Sequence, residues 1–143
     1  MINAVSLYRV ARWCYVRKML IVSRLIELLI FLLYNSRIPA QAIIGKGSFF
    51  AYSGIGVVIH KRCVIGDSVN IGPNVTIGGR SNHYEVPIIG NDVFIATGAK
   101  ILGPIRVGNH VTIGANSVVI HDVPDGCVVA GVPAKVIKQS YEN

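Results

Sequence analysis

Acidic side chains are scarce in this chain: 7 Asp and Glu stand against 14 Lys and Arg, a formal net charge of +7 over 143 residues. That balance favours anionic ligands. It does not point to nucleic acid, because the basic residues are scattered and no groove-reading or base-stacking motif accompanies them. Cysteine is also sparse, and the count of 3 is odd. Cys14, Cys63 and Cys127 lie far apart, which excludes a disulfide framework and indicates a reduced, cytosolic setting. No His pair has ligand spacing, so no metal site is expected. Long uncharged apolar runs are missing too. The stretch from Leu20 to Tyr34 is broken by Ser23, Arg24 and Glu27, short of the roughly 20 apolar residues a membrane-spanning helix needs. No small-residue cleavage site follows it, so a secretory leader is not expected.

Glycine and proline are absent from residues 1–38 and abundant afterwards. The composition therefore divides the chain into an apolar, basic segment (1–38), a central body (39–126) and a tail (127–143). Residues 5–36 are rich in Leu, Ile, Val and Arg and predict one or two helices. The first 37 residues hold six basic side chains and Glu27 as the sole acid. Such a segment suits either a cap over the body or packing against a second subunit, or a helix lying on an anionic membrane surface.

The body has a period of six. Ile59, Ile65, Ile71, Ile77, Ile89, Ile95, Ile101, Val107, Ile113 and Val119 fall on one register, and six of these rungs are followed by Gly. Four residues past each rung a small or apolar residue recurs, as at Cys63, Val69, Val75, Val93, Ala99 and Val111. An aliphatic every six residues with Gly beside it predicts a parallel β-helix, whose coils place like residues above like. The missing rung is His83, in Gly78-Gly79-Arg80-Ser81-Asn82-His83-Tyr84-Glu85-Val86-Pro87. An imidazole has little reason to enter an aliphatic core, so this segment is expected to bulge outward as a loop, where reactive groups concentrate.

The rungs end in Asp122-Val123-Pro124 and then Ala130-Gly131-Val132-Pro133-Ala134-Lys135-Val136-Ile137. In this the chain resembles the hexapeptide-repeat acyltransferases. Val75-Thr76-Ile77-Gly78-Gly79 and Ala99-Lys100-Ile101-Leu102-Gly103 are similar to their serine acetyltransferase branch. The apolar basic start, Ile38-Pro39-Ala40 and Gly54-Ile55-Gly56-Val57-Val58-Ile59-His60 resemble short members associated with exopolysaccharide and capsule synthesis. The resemblance implies a mainly β fold, a left-handed parallel β-helix with an N-terminal helical segment. It also implies a homotrimer with active sites in the grooves between subunits, and acetyl-CoA as acyl donor.

Acyl transfer to a hydroxyl requires a base, donors for the oxyanion and a grip on coenzyme A. His83 matches the loop histidine that serves as base in related sugar O-acetyltransferases. His60 is the second candidate, standing where other coils carry Gly. The Asp-His pair of serine acetyltransferases is replaced by Tyr52 and Ser53. His110 is expected to be a surface residue. Ala96, Thr97, Gly98, Gly114 and Ala115, stacked eighteen residues apart, are expected along the pantetheine arm. His121 is expected to contact the cofactor, and Lys135 and Lys138 match its phosphate-binding cations. The expected activity is O-acetylation of a sugar hydroxyl in a polysaccharide or its precursor, by direct transfer without a covalent enzyme intermediate. The alternatives are serine O-acetylation and a noncatalytic assembly module. The expected location is the cytoplasm, at the inner membrane face if residues 5–36 touch lipid.

Overall fold

Short strands arise here because each aliphatic rung can be buried only by stacking on its neighbours. The computed structural model describes residues 2–139. Four coils of three strands each make up the body. The first holds β1 (Ile43–Ile44), β2 (Phe49–Phe50) and β3 (Val58–Ile59); the second holds β4 (Val64–Ile65), β5 (Asn70–Ile71) and β6 (Thr76–Gly78). The third holds β7 (Ile88–Ile89), β8 (Phe94–Ile95) and β9 (Lys100–Leu102); the fourth holds β10 (Arg106–Val107), β11 (Thr112–Ile113) and β12 (Val118–Val119). Corresponding strands pair in parallel, giving three sheets: β1-β4-β7-β10, β2-β5-β8-β11 and β3-β6-β9-β12. Register is set rung on rung, Ile65 against Ile89 and Ile71 against Ile95. The eight isoleucine rungs from Ile59 to Ile113 are each at most 2% exposed and stack in three columns, one per sheet, within a single core. The secondary positions Cys63, Val69, Val75, Val93, Ala99 and Val111 are buried beside them.

Glycine follows the rungs for a steric reason. At one corner, Asp67, Asn91, Asn109 and Asp125 of successive coils lean back over the coil below. Their Oδ1 atoms accept from the amides of Lys46, Asp67, Asn91 and Asn109, each at 2.8 Å. A Cβ at Gly45, Gly66, Gly90 or Gly108 would lie 2.2 to 2.6 Å from those oxygens. The side-chain ladder and a larger residue cannot share the corner.

After Ala134–Gln139 is reached the stack closes. β13 (Cys127–Gly131) pairs parallel with β11 and extends the second sheet, and β14 (Ala134–Gln139) returns antiparallel along it. At the other end, α1 (Ala4–Val16), capped by the Asn3 side chain accepting from Val5 N at 3.0 Å, covers the first coil. Tyr8 donates to the Ala42 carbonyl, Arg9 to Ile44 and Gly45, and Arg12 to Ala40 at 3.0 Å. Buried Tyr8 thus supplies both the apolar lid and a partner for an open carbonyl. α2 (Leu20–Tyr34) packs on α1 through Ser23, Ile30 and Tyr34. Among the described residues, no helix is long and apolar enough to cross a membrane.

Candidate active site

The six-residue register is suspended between β6 and β7: residues 79–85 leave the coil as the expected loop, and buried Val86 and Pro87 rejoin it. One clamp holds it. Arg62, from the second coil, lies 4.0 Å over the Tyr84 ring and donates through Nη2 to the Tyr84 carbonyl. The aliphatic stem of Arg80 lies across Gly103, where a Cβ would meet the Arg80 Cβ at 3.2 Å. His83, exposed on this loop, faces an open groove of about 440 Å³ lined by Arg80, Pro104, Ile105, Ile120, His121 and Asp122. The structure therefore brings together His83 and His121, and adds Arg80 and Asp122, which sequence reasoning had not singled out. Asp122 Oδ1 accepts from Arg106 N at 2.9 Å, which fixes the carboxylate at the groove edge.

His60 lies elsewhere, in a smaller groove of about 300 Å³ with Arg37, Lys61, Ile77 and Gly78. Its Nδ1 accepts from Arg62 N at 3.1 Å. Partial burial, then the charges of Arg62 and Lys61, lower its pKa from 6.5. The ring is thus neutral at pH 7, and with Nδ1 engaged as an acceptor its proton sits on Nε2. As placed, His60 presents a hydrogen-bond donor to its groove, not a lone pair. The His83 ring makes no hydrogen bond among the described residues. His110 is on the surface beside Asp92, with Nδ1 3.7 Å from the carboxylate. Cys63 is buried and its thiol pKa is pushed up to about 11, so it stays protonated and is no nucleophile at neutral pH.

The stacked corner residues are in register as expected, with a refinement. Ala96 N and Gly114 N already donate to Ile113 and Val129 at 2.9 and 2.8 Å, and Gly98 N to Pro73 at 2.9 Å. The amides of Thr97 and Ala115 make no hydrogen bond among the described residues and remain available to an extended amide chain. Lys135 and Lys138 are three residues apart, which in a regular strand would put them on opposite faces. A register shift in the hairpin pairs Val128 with Lys138 and Val129 with Val136, returning both lysines to one face. Among the described residues, no group of His, Cys, Asp and Glu could hold a metal ion.

Stacked hexapeptide coils carrying a histidine loop are what the hexapeptide-repeat transferases share, and two segments of the chain match models of that class. Residues 87–121 match the bacterial transferase hexapeptide (six repeats), and residues 41–67 match the hexapeptide repeat of succinyl-transferase. The chain is similar to the serine acetyltransferase of Synechococcus elongatus, 40% identical over 96% of this chain and 57% of that protein. It is likewise similar to that of Bacillus subtilis, 41% identical over 97% of this chain and 64% of the relative. The serine acetyltransferase of Brucella abortus solved with coenzyme A superimposes with a TM-score of 0.91 at 34% identity, covering 96% of this chain and 56% of that one. The chain spans between about half and two thirds of the length of these proteins. These likenesses overturn the expected glycan acceptor and the tie to polysaccharide synthesis: the similar proteins are serine acetyltransferases. The Asp-His pair of those enzymes is nonetheless replaced here. Tyr52 and Ser53 now form a tight turn with φ of 52° and 63°, a local departure inside an otherwise matching fold.

Proposed function

We propose that this chain catalyses acetyl-CoA-dependent O-acetylation of L-serine, with His83 as general base. The observation that carries the reading is the groove in which His83 lies with one cation, Arg80, and one anion, Asp122. Serine is a zwitterion, and this pair complements its carboxylate and ammonium while leaving its hydroxyl to the imidazole. The similarity to serine acetyltransferases supports the same acceptor.

His83 takes the hydroxyl proton as the serine oxygen bonds to the acetyl carbon. The carbon–sulfur bond breaks, and the imidazolium returns the proton to the leaving thiolate. Bound acetyl-CoA supplies the activated acyl group. The free amides of Thr97 and Ala115 suit the pantetheine amides, and Lys135 and Lys138 suit the nucleotide phosphates. The groove is open within one chain, so we place a neighbouring subunit over it in a homotrimer, where water would be excluded.

The test is coenzyme A release by the purified chain with L-serine, beside His83→Ala, Arg80→Ala and His60→Ala. Expected is serine-dependent turnover that falls about 10²- to 10⁴-fold in His83→Ala, the range of general-base catalysis. Arg80→Ala should act mainly on KM. Measurable acetyl-CoA binding with no serine turnover would overturn the acceptor, and full activity in His83→Ala would overturn the base.

A further inference from the structure

The helical hairpin buries too little of its apolar surface. α2 turns only Ser23, Ile30 and Tyr34 fully inward. Leu20, Ile21, Leu25, Leu28, Leu32 and Leu33 are 49 to 78% exposed. At about 100° per residue they sweep an arc of about 220°, from Leu20 round to Leu33. Arg24 is the one charged residue within that arc. A helix packed on one side buries a stripe about 100° wide, so a single neighbouring helix would leave roughly half of this arc in water. A fluid apolar phase wraps all of it.

The charges around the arc have one sign. Arg17 and Lys18 form the turn between the helices, and Arg17 lies 4.2 Å over the ring of half-exposed Trp13. Arg24 projects from α2. The sole acid of the segment, Glu27, accepts from Ala40 N at 2.8 Å and is turned toward the body. At 15 residues α2 is about 22 Å long, shorter than the roughly 30 Å hydrocarbon core, and so can lie in a bilayer surface but not cross it. We propose that the α1–α2 hairpin docks the protein on an anionic phospholipid bilayer, α2 lying in the boundary between headgroups and acyl chains. Arg17, Lys18 and Arg24 then face lipid phosphates, and Trp13 sits at headgroup depth. The inference stands on the hairpin alone and does not depend on which acceptor the solenoid acetylates.

The experiment is sedimentation of the full chain with phosphatidylglycerol–phosphatidylcholine vesicles and with phosphatidylcholine alone, with Trp13 fluorescence and sedimentation velocity without lipid. Expected are binding to the anionic vesicles, a blue shift of Trp13, and at least tenfold weaker partition at high salt. Ile21→Asp/Leu32→Asp and Arg17→Glu/Lys18→Glu should each lower partition at least tenfold with far-ultraviolet circular dichroism unchanged. Equal binding to neutral vesicles overturns the role of the cations. Absence of vesicle binding overturns the proposal, as does an Ile21→Asp/Leu32→Asp chain that binds lipid normally. An oligomer that this double substitution splits, with no lipid binding by the parent, assigns the surface to a second copy instead.

Discussion

Arg62 connects the two histidine sites through separate atoms. Its backbone N–H fixes His60 Nδ1, while its guanidinium stacks on Tyr84 and holds the His83 loop. Its Nε is buried without a hydrogen-bond partner among the described residues, a cost that the stacking and the Tyr84 contact offset. Arg62→Met keeps the backbone contact and removes the clamp. The expected outcome is a fall in kcat with the fold intact, together with a rise in the His60 pKa toward 6.5, because one of the charges lowering it is gone. Histidine proton NMR against pH checks the second effect, and an unmoved His60 titration would remove Arg62 from its surroundings. The sign extends to stability. A depressed folded pKa means that His60 contributes stability above pH 6.5, lost as pH falls through the folded value. Legibility at this scale was uneven. His83 showed itself by breaking a period, whereas Arg80 and Asp122 belong to segments some forty residues apart that only the coil stacking brings to one groove. The environment of His60 was equally hidden, because the Arg62 amide that fixes its tautomer leaves no mark in composition or spacing.

Each coil corner is a small device of its own. Gly90 stands under Asn109, whose Oδ1 would be 2.6 Å from an added Cβ, with the Gly108 carbonyl at 2.8 Å. The backbone atoms cannot move aside without breaking the Gly90 to Val107 hydrogen bond of 2.8 Å. Gly90→Ala should therefore destabilise by about 2 to 4 kcal/mol, more than a helix propensity change, through overpacking and a lost ladder bond. Asn109→Ala turns the exposed Asn91 amide over to water and should cost about 0.5 to 1 kcal/mol. Urea unfolding of the two single variants and the double measures both. A double variant no worse than Gly90→Ala is expected, since removing Asn109 relieves part of the clash; simple additivity would show that the two residues do not share this corner. The glycines themselves were plain in the sequence as partners of the rungs. Their reason was not, because the oxygens that exclude a side chain come from 17 to 25 residues further on. The return of Lys138 to the face of Lys135 depends likewise on a bulge that no residue pattern announces.

At the scale of the whole molecule the solenoid type was legible because one residue per strand repeats its burial, and ten of eleven rungs obey it. The acceptor was not, since acceptors are chosen by a few groove side chains and not by the repeat. The hydrophobic core is one connected cluster, running from Ala4, Tyr8 and Ile30 of the helical hairpin through every coil to Val129. Cap and coils should therefore unfold together, not as a helical unit and a β unit. Ile71 is fully buried at mid-stack, between Phe50 of the first coil and Ile95 of the third. Ile71→Ala should cost about 2 to 5 kcal/mol and shift the entire transition, helix signal included. Val129→Ala, in the last parallel strand, sits where one neighbouring coil is missing, so it should loosen hydrogen exchange locally in β13 and β14 while moving the main midpoint less. Coincident circular dichroism and tyrosine fluorescence transitions in the parent chain, both displaced by Ile71→Ala, are the expected result. A helical transition that stays in place while the β signal moves would divide the molecule at Pro39, and the cap would then be a separate folding unit resting on the first coil.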